Sequence, residues 1–321
     1  MSRLSLSIGT SAFGGTETQA KVLDVVKDAG IKEVDTAQMY ADGKNEVDIG
    51  NAGAAERGLS VSTKNPGGFF GDADSLEPGH LKKTAKESLE KLKVKQIDIF
   101  YIHAPDRKRP IETWLPTIDE LHKEGLFKRF GVSNFSPEEV RAVYDFQKSK
   151  GYVLPTVYQG NYNPVARKID TLLFPTLREL GICFYAYSPL AGGFLAKTRQ
   201  QIEESNNAGR FADNDAPINK MYRSMYVRPQ YLEALDDWGK AAEEEGCTKY
   251  ELAYRWVYYH SSLKPDLGDH LIMGASKIEQ IQSSVDGLKK GPLKSATVKA
   301  IEKVWDDIKD VAAHNNFDFF I

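Results

Sequence analysis

Four side chains in the first third of the chain, Asp35, Tyr40, Lys64 and His103, make a chemically coherent set. Taken singly, each has an ordinary use. Asp35 before Thr36 can close a turn, Lys64 can be a solvated loop lysine, His103 can be structural, and Tyr40 is one of 15 tyrosines. Taken together they suit proton transfer. A phenol donates a proton near neutral pH only if its pKa of about 10 is lowered. An ammonium beside it, here Lys64, would lower it by about 1 to 3. Asp35 would pair with Lys64 and keep it charged and oriented. His103, as a neutral imidazole donor, would hydrogen-bond a substrate oxygen and fix a carbonyl beside a hydride source. The other histidines show no metal-ligand spacing such as H-E-x-x-H, so no metal is expected.

These residues need a scaffold that brings distant positions to one place. Apolar runs of strand length recur along the chain, each followed by helical spacing, which is the pattern of βα units on a parallel sheet. Strands are predicted at Ser5–Gly9, Glu33–Asp35, Leu59–Lys64, Gln96–His103, Arg129–Ser133, Thr156–Gln159, Cys183–Tyr187 and Leu271–Met273. Helices are predicted at Glu17–Ala29, from near Asn45, at Pro78–Lys91 and Ile111–Glu124, and after the cap Ser136-Pro137-Glu138-Glu139. Further helices are expected at Leu172–Leu180, Pro229–Glu245, Lys249–His260, Ile278–Leu288 and Ser295–Asn315. The pattern predicts a single α/β domain over residues 1–321. It is a closed (β/α)8 TIM barrel with a long loop, Ser188–Arg228, after the seventh strand and an extra C-terminal helix. An open doubly wound sheet would need a break in the alternation or a dinucleotide fingerprint, and neither G-x-G-x-x-G nor G-x-x-x-x-G-K-[ST] occurs. In such a barrel chemistry sits at the C-terminal strand ends. Asp35, Lys64, His103, Ser133, Asn134, Gln159, Tyr187 and Ser188 all fall there, and Gly274 to Ser276 follow the last strand.

Composition narrows the function classes. Hydrophobic residues make up 41% and charged residues 27%, enough for a sizeable core and incompatible with disorder as the main state. A net charge of −3 without a long Lys/Arg run offers no stripe for nucleic acid. No run approaches the ~20 apolar residues of a membrane span, and Met1 to Gly9 lacks the apolar core of a signal peptide. The two cysteines, Cys183 and Cys247, lie in different elements, which fits a reducing, cytoplasmic setting. The sequon Asn134-Phe135-Ser136 is discounted as a chance tripeptide.

Five motifs then carry a resemblance: Glu33-Val34-Asp35-Thr36-Ala37-Gln38-Met39-Tyr40 with Asn45-Glu46, Ser62-Thr63-Lys64, Asp98-Ile99-Phe100-Tyr101-Ile102-His103, Gly131-Val132-Ser133-Asn134-Phe135, and Tyr187-Ser188-Pro189-Leu190. In their order and spacing the chain resembles the aldo-keto reductases over nearly its whole length. It is most similar to the aflatoxin-aldehyde reductase branch, from Tyr158-Gln159-Gly160-Asn161-Tyr162-Asn163, Ala191-Gly192-Gly193-Phe194-Leu195 and Gly209-Arg210-Phe211. The resemblance implies an NADPH-dependent carbonyl reductase with a catalytic tetrad at Asp35, Tyr40, Lys64 and His103. It implies that Ser133, Asn134 and Gln159 hold the carboxamide and that the nicotinamide ring stacks on Tyr187. Ser188, Leu190 and Gly192, helped by Lys197 and Arg210, would follow the pyrophosphate. Gly274, Ser276, Lys277 and Gln280 would meet the adenosine end, with Lys277 at the 2′-phosphate. Ser284 stands where an Asn or Glu usually meets the adenine.

On the substrate side the resemblance points to His103, Tyr222 and Arg223, with a small carbonyl compound as partner. Assembly into a homo-oligomer stays open. Related reductases carry Y-R-x-R-[YF] around Tyr222, the second arginine facing a substrate carboxylate. Met225 stands there in this chain, so small carboxylate-bearing aldehydes such as succinic semialdehyde are not expected to be favoured unless Arg223 or Arg228 takes that role. Two other functions compete: a barrel aldolase using Lys64 as Schiff-base nucleophile, and a binding module like the potassium-channel β-subunits, which resemble aldo-keto reductases.

Overall fold

The computed structural model describes residues 3–69, 74–204 and 209–314. Eight parallel strands close on themselves in chain order. They are β1 (Ser5–Gly9), β2 (Glu33–Asp35), β3 (Ser60–Asn65), β4 (Ile97–Ile102), β5 (Phe127–Ser133), β6 (Pro155–Asn161), β7 (Cys183–Tyr187) and β8 (His270–Gly274). The closing pair runs from Ser5 opposite His270 to Gly9 opposite Gly274. The register sets the C-terminal ends side by side: Gly9 against Asp35, Lys64 against Tyr101, Ser133 against Gln159, and Asn161 against Tyr187. The strands β5, β6 and β8 extend beyond the expected bounds because ladder pairing recruits polar and glycine residues at the edges of each apolar run.

The helices α1 (Thr16–Asp28), α2 (Asn45–Asn51), α3 (Pro78–Leu92), α4 (Ile111–Lys123) and α5 (Pro137–Lys150) wrap the outside of the barrel. Local chemistry sets their ends. The Glu77 carboxylate accepts from His80 N to open α3, and Ser136 and Glu139 exchange hydrogen bonds in a capping box that opens α5. The single helix expected over Leu172–Leu180 is two, α6 (Ile169–Leu172) and α7 (Phe174–Leu180). Pro175 sits in the first turn of α7 and has no N–H to continue the earlier ladder.

The long connection after β7 is more ordered than its composition announces. It holds a 3-10 turn, Ala191–Ala196, then α8 (Arg199–Glu203), a second 3-10 turn, Gly209–Phe211, and α9 (Pro217–Tyr226). The helix α9 buries Met221, Tyr222, Met225 and Tyr226, a three-and-four spacing hidden between Gly- and Asn-rich flanks. The remaining helices are α10 (Pro229–Glu245), α11 (Lys249–His260), α12 (Ile278–Lys289) and α13 (Ser295–Ile308), the last packing along α10. The terminal helix thus ends before the expected Asn315, which lies outside the described residues.

The main core lies between the outer strand faces, such as Ile8, Val34, Phe100 and Val132, and the helices, such as Val22, Leu23, Leu81 and Leu115. Inside the barrel Ile99, Tyr101, Val157, Tyr185 and Ile272 form a second, smaller cluster. The floor is polar: Arg129 Nη2 lies 2.8 Å from Asp98, Arg129 Nη1 donates to the Tyr185 hydroxyl at 3.1 Å, and Tyr185 stacks on His270 at 4.2 Å. Among the described residues, no helix is long and apolar enough to cross a membrane.

Candidate active site

Lys64 is fully buried, and its Nζ lies 2.5 Å from Asp35 Oδ1 and 2.7 Å from the Thr36 carbonyl. The second carboxylate oxygen of Asp35 accepts from Gln159 Nε2 at 2.8 Å, which ties β2, β3 and β6 together. A buried ion pair is tolerated only when its remaining donors and acceptors are satisfied in this way. A scaffold of polar residues holds the strand ends beneath it. Asn45 Oδ1 accepts from Thr10 Oγ1 (2.8 Å) and Thr36 Oγ1 (2.7 Å), while Asn45 Nδ2 donates to the Phe13 carbonyl at 2.9 Å. Glu46 accepts from Thr63 Oγ1 at 2.7 Å. The sequence shows Asn45-Glu46 only as part of a motif. Folded, the two are a wholly buried bolt between the loop that carries Tyr40 and the strands that carry Asp35 and Lys64.

Tyr40 leaves β2 on a tight turn in which Ala41 and Asp42 are both left-handed (φ 50° and 52°), so that its carbonyl accepts from Gly43 N and Asn45 N at 3.2 Å each. The Lys64 ammonium lies 5.4 Å from the Tyr40 ring centroid, and the His103 imidazole stands edge-on to the same ring at 5.9 Å. The fold therefore brings all four tetrad candidates to one end of the barrel. It adds Phe69, 4.8 Å from His103, which no sequence signal marked. Gly67 and Gly68 let that loop lie against the carbonyls of Ala104 and Pro105, where a Cβ would come within 2.0 and 2.2 Å.

The electrostatics agree with expectation at His103 and reverse it at Tyr40. Burial, then the Lys64 charge, hold the His103 imidazole well below its usual range, so it is neutral at pH 7, and its Nδ1 has no hydrogen-bond partner among the described residues. Burial, then the Asp35 carboxylate, hold the Tyr40 phenol above its ordinary value, with Arg210 pulling the other way. The lowering expected from Lys64 does not offset burial and the Asp35 charge. Burial lowers Lys64, and Asp35 opposes the fall.

Around this centre the strand ends offer hydrogen-bonding groups in strained backbone. Asn134 (φ 61°) ends β5; its Nδ2 donates to the His103 carbonyl (2.9 Å) and Ser133 Oγ (3.0 Å), and its Oδ1 accepts from the Tyr187 hydroxyl at 3.0 Å. Ser188 (φ 55°) follows β7, its Oγ 3.3 Å from the Tyr222 hydroxyl. Left-handed non-glycine residues at strand ends mark sites held by their surroundings for a purpose other than packing. Gly192 (φ 69°) is required by Tyr222, whose ring would lie 2.2 Å from a Cβ there. Leu190 packs against the core beside it. Arg210 donates to the Tyr222 hydroxyl at 3.1 Å and reaches Ser11 Oγ at 3.5 Å, so it spans the mouth from the β7 side to the β1 side. At the start of α12, Gln280 Oε1 collects Ser276 N (2.9 Å), Ser276 Oγ (3.1 Å) and Lys277 N (3.1 Å), three donors in the arrangement an anionic oxygen uses.

Other expected residues lie elsewhere. Ser284 is 4% exposed and reaches the Tyr254 hydroxyl, which donates to the Gly274 carbonyl, so it buttresses β8 from behind instead of facing a ligand. Arg223 donates to the Phe211 carbonyl at 3.0 Å and lies 3.6 Å from Asp213, lining a surface depression. Met225 is buried in the main core. Lys197 offers its carbonyl to Lys249 Nζ at 3.1 Å. Asn134, at the sequon, is buried with both amide hydrogens donated.

Residues 5–306 match the model of the aldo/keto reductase family, and the chain belongs to that family, oxidoreductases that act on small carbonyl compounds with nicotinamide cofactors. It is 38% identical over 319 residues, 95% of this chain and 94% of that protein, to oxidoreductase sirO of Leptosphaeria maculans. It is 35% identical over 327 residues, 98% of this chain and 86% of that protein, to aflatoxin B1 aldehyde reductase member 2 of Rattus norvegicus. A third relative, aldo-keto reductase family 7 member A3 of Homo sapiens, is 36% identical over 299 residues, 90% and 88% of the two chains.

Proposed function

We propose that the chain is an NADPH-dependent carbonyl reductase in which Tyr40 gives the proton that converts the reduced carbonyl to an alcohol. The observation that carries this reading is the buried Asp35–Lys64 pair directly beside the Tyr40 ring, at the barrel mouth, with neutral His103 on the other side. NADPH, when bound, supplies the hydride. The high phenol pKa keeps Tyr40 protonated until an alkoxide forms, and an alkoxide is basic enough to take that proton. Lys64 then faces the phenolate, and Asp35 keeps Lys64 charged while Gln159 keeps Asp35 in place. His103 donates a hydrogen bond to the carbonyl oxygen and orients it.

The groups present suit the cofactor. Ser133, Asn134 and Gln159 offer the donors and acceptors a carboxamide needs, and the Tyr187 ring is available for stacking. The backbone at Ser188, Leu190 and Gly192, with Arg210, suits a pyrophosphate. The three converging donors at Ser276 and Lys277, now collected by Gln280, suit the 2′-phosphate, which favours NADPH over NADH. Schiff-base chemistry at Lys64 is disfavoured, because its amine is charged and already bonded to a carboxylate and a carbonyl. The test is a screen of NADPH oxidation against aldehydes, diketones and quinones. Turnover with a specificity constant at least about tenfold better for NADPH than NADH is expected. No turnover on any class, alongside capture of a stoichiometric membrane protein, would favour the binding-module reading.

A further inference from the structure

The Lys64 ammonium lies between two aromatic rings. One is Tyr40, 5.4 Å from its centroid, and the other is Tyr101 of β4, at 5.5 Å. Tyr101 is paired with Lys64 in the β3–β4 register and is fully buried. The barrel makes room for it at the expense of a side chain: a Cβ on Gly131 of β5 would stand 2.4 Å from Tyr101 Cδ1 and 2.5 Å from Cε1. Its other neighbours inside the barrel are Ile99, Val157, Ile272 and the ring of Tyr185.

We infer that Tyr101 is a positioning residue for proton transfer, its ring supporting the Lys64 ammonium and keeping that charge in place. The inference rests on the proposed roles of Tyr40 and Lys64. An ammonium has three donors, and two of those on Lys64 are taken by Asp35 and Thr36. In a buried site the negative face of an aromatic ring stabilises the cation without taking up one of its hydrogen-bond donors. The titratable groups around Lys64 are Asp35 of β2, Tyr40 of the following loop, and Tyr101 and His103 of β4, while Tyr185 and Cys183 of β7 approach Tyr101 from below. Burial pulls the Lys64 pKa down and Asp35 opposes the fall; the Thr36 carbonyl and the two ring faces also favour the charged form. A weaker ring face at 101 therefore lets Lys64 lose its proton at a lower pH.

The experiment replaces Tyr101 with phenylalanine, 4-fluorophenylalanine and 3,4,5-trifluorophenylalanine by nonsense suppression. These differ little in shape, but their ring faces are progressively less negative. Relative to the Tyr101→Phe enzyme, kcat is expected to fall stepwise, to about fivefold at the trifluoro ring. The alkaline limb of the kcat–pH profile should move down by about half a pH unit, with the NADPH dissociation constant unchanged. A flat series in both kcat and pH profile overturns the inference and leaves Tyr101 as core filling. Tyr40→Phe is measured in the same assay: if it is inactive while the series is flat, only the role of Tyr101 fails. If Tyr40→Phe still turns over, the proposed acid is wrong and the inference falls with it.

Discussion

The carboxylate of Asp35 would be an isolated buried charge without Lys64, so the two residues carry stability as well as chemistry. Lys64→Met is expected to cost about 3 to 5 kcal/mol, read by denaturant unfolding at pH 7, because it strands that carboxylate. Adding Asp35→Asn removes the stranded charge and should recover most of the stability while turnover stays absent. If the double variant were no more stable than Lys64→Met, the pair would not be the source of the cost. At this scale much was legible in the sequence: Asp35, Lys64, His103, Ser133, Asn134 and Gln159 each stand as a polar residue at the end of an apolar run. What was not legible depends on tertiary placement. The Thr36 carbonyl, the Phe69 ring and the burial of Ser284 behind β8 leave no trace in residue spacing. The direction of the Tyr40 shift also escaped, because it is set first by how deeply the fold buries the phenol and then by the Asp35 charge.

Strands and helices carry two further expectations. At the floor of the barrel β8 begins with His270, which burial first and Arg129 second push down to about 4. A base whose folded pKa is depressed stabilises the fold fully above its unfolded value near 6.5 and loses that contribution as pH falls towards 4. Between pH 7 and pH 5 this amounts to about 2 kcal/mol, so His270→Phe, which keeps a ring on Tyr185, should show a pH dependence of unfolding smaller by that amount. An unchanged dependence would remove His270 as its source. The helix α9 sets the other expectation. Its Arg223 is engaged by Phe211 and Asp213, and its Met225 is in the core. Arg223→Ala should therefore change the ratio of specificity constants for succinic semialdehyde and an uncharged aldehyde of similar size by less than about twofold. A carboxylate preference that vanishes in this variant would place the guanidinium at the substrate after all. The regular helices were legible from periodicity and caps. In α9 four buried residues at helical spacing were masked by a segment rich in Gly and Asn, and in α6 and α7 a single proline broke what reads as one run.

The whole molecule is a closed barrel whose eight strand ends place residues from positions 35 to 280 around one mouth. The alternation of apolar runs made this architecture readable, because each parallel strand is covered by the helix that follows it. Closure itself is a long-range fact, the pairing of β1 with β8, and only the count of units hinted at it. The proposed function depends at this scale on one proton. The most direct measurement compares the parent enzyme with Tyr40→Phe for NADPH-dependent reduction of its best carbonyl substrate, with NADPH affinity followed by fluorescence. Turnover lower by at least about 100-fold, at an NADPH dissociation constant within about twofold of the parent, is the expected result. Turnover within about tenfold of the parent would contradict Tyr40 as the proton donor.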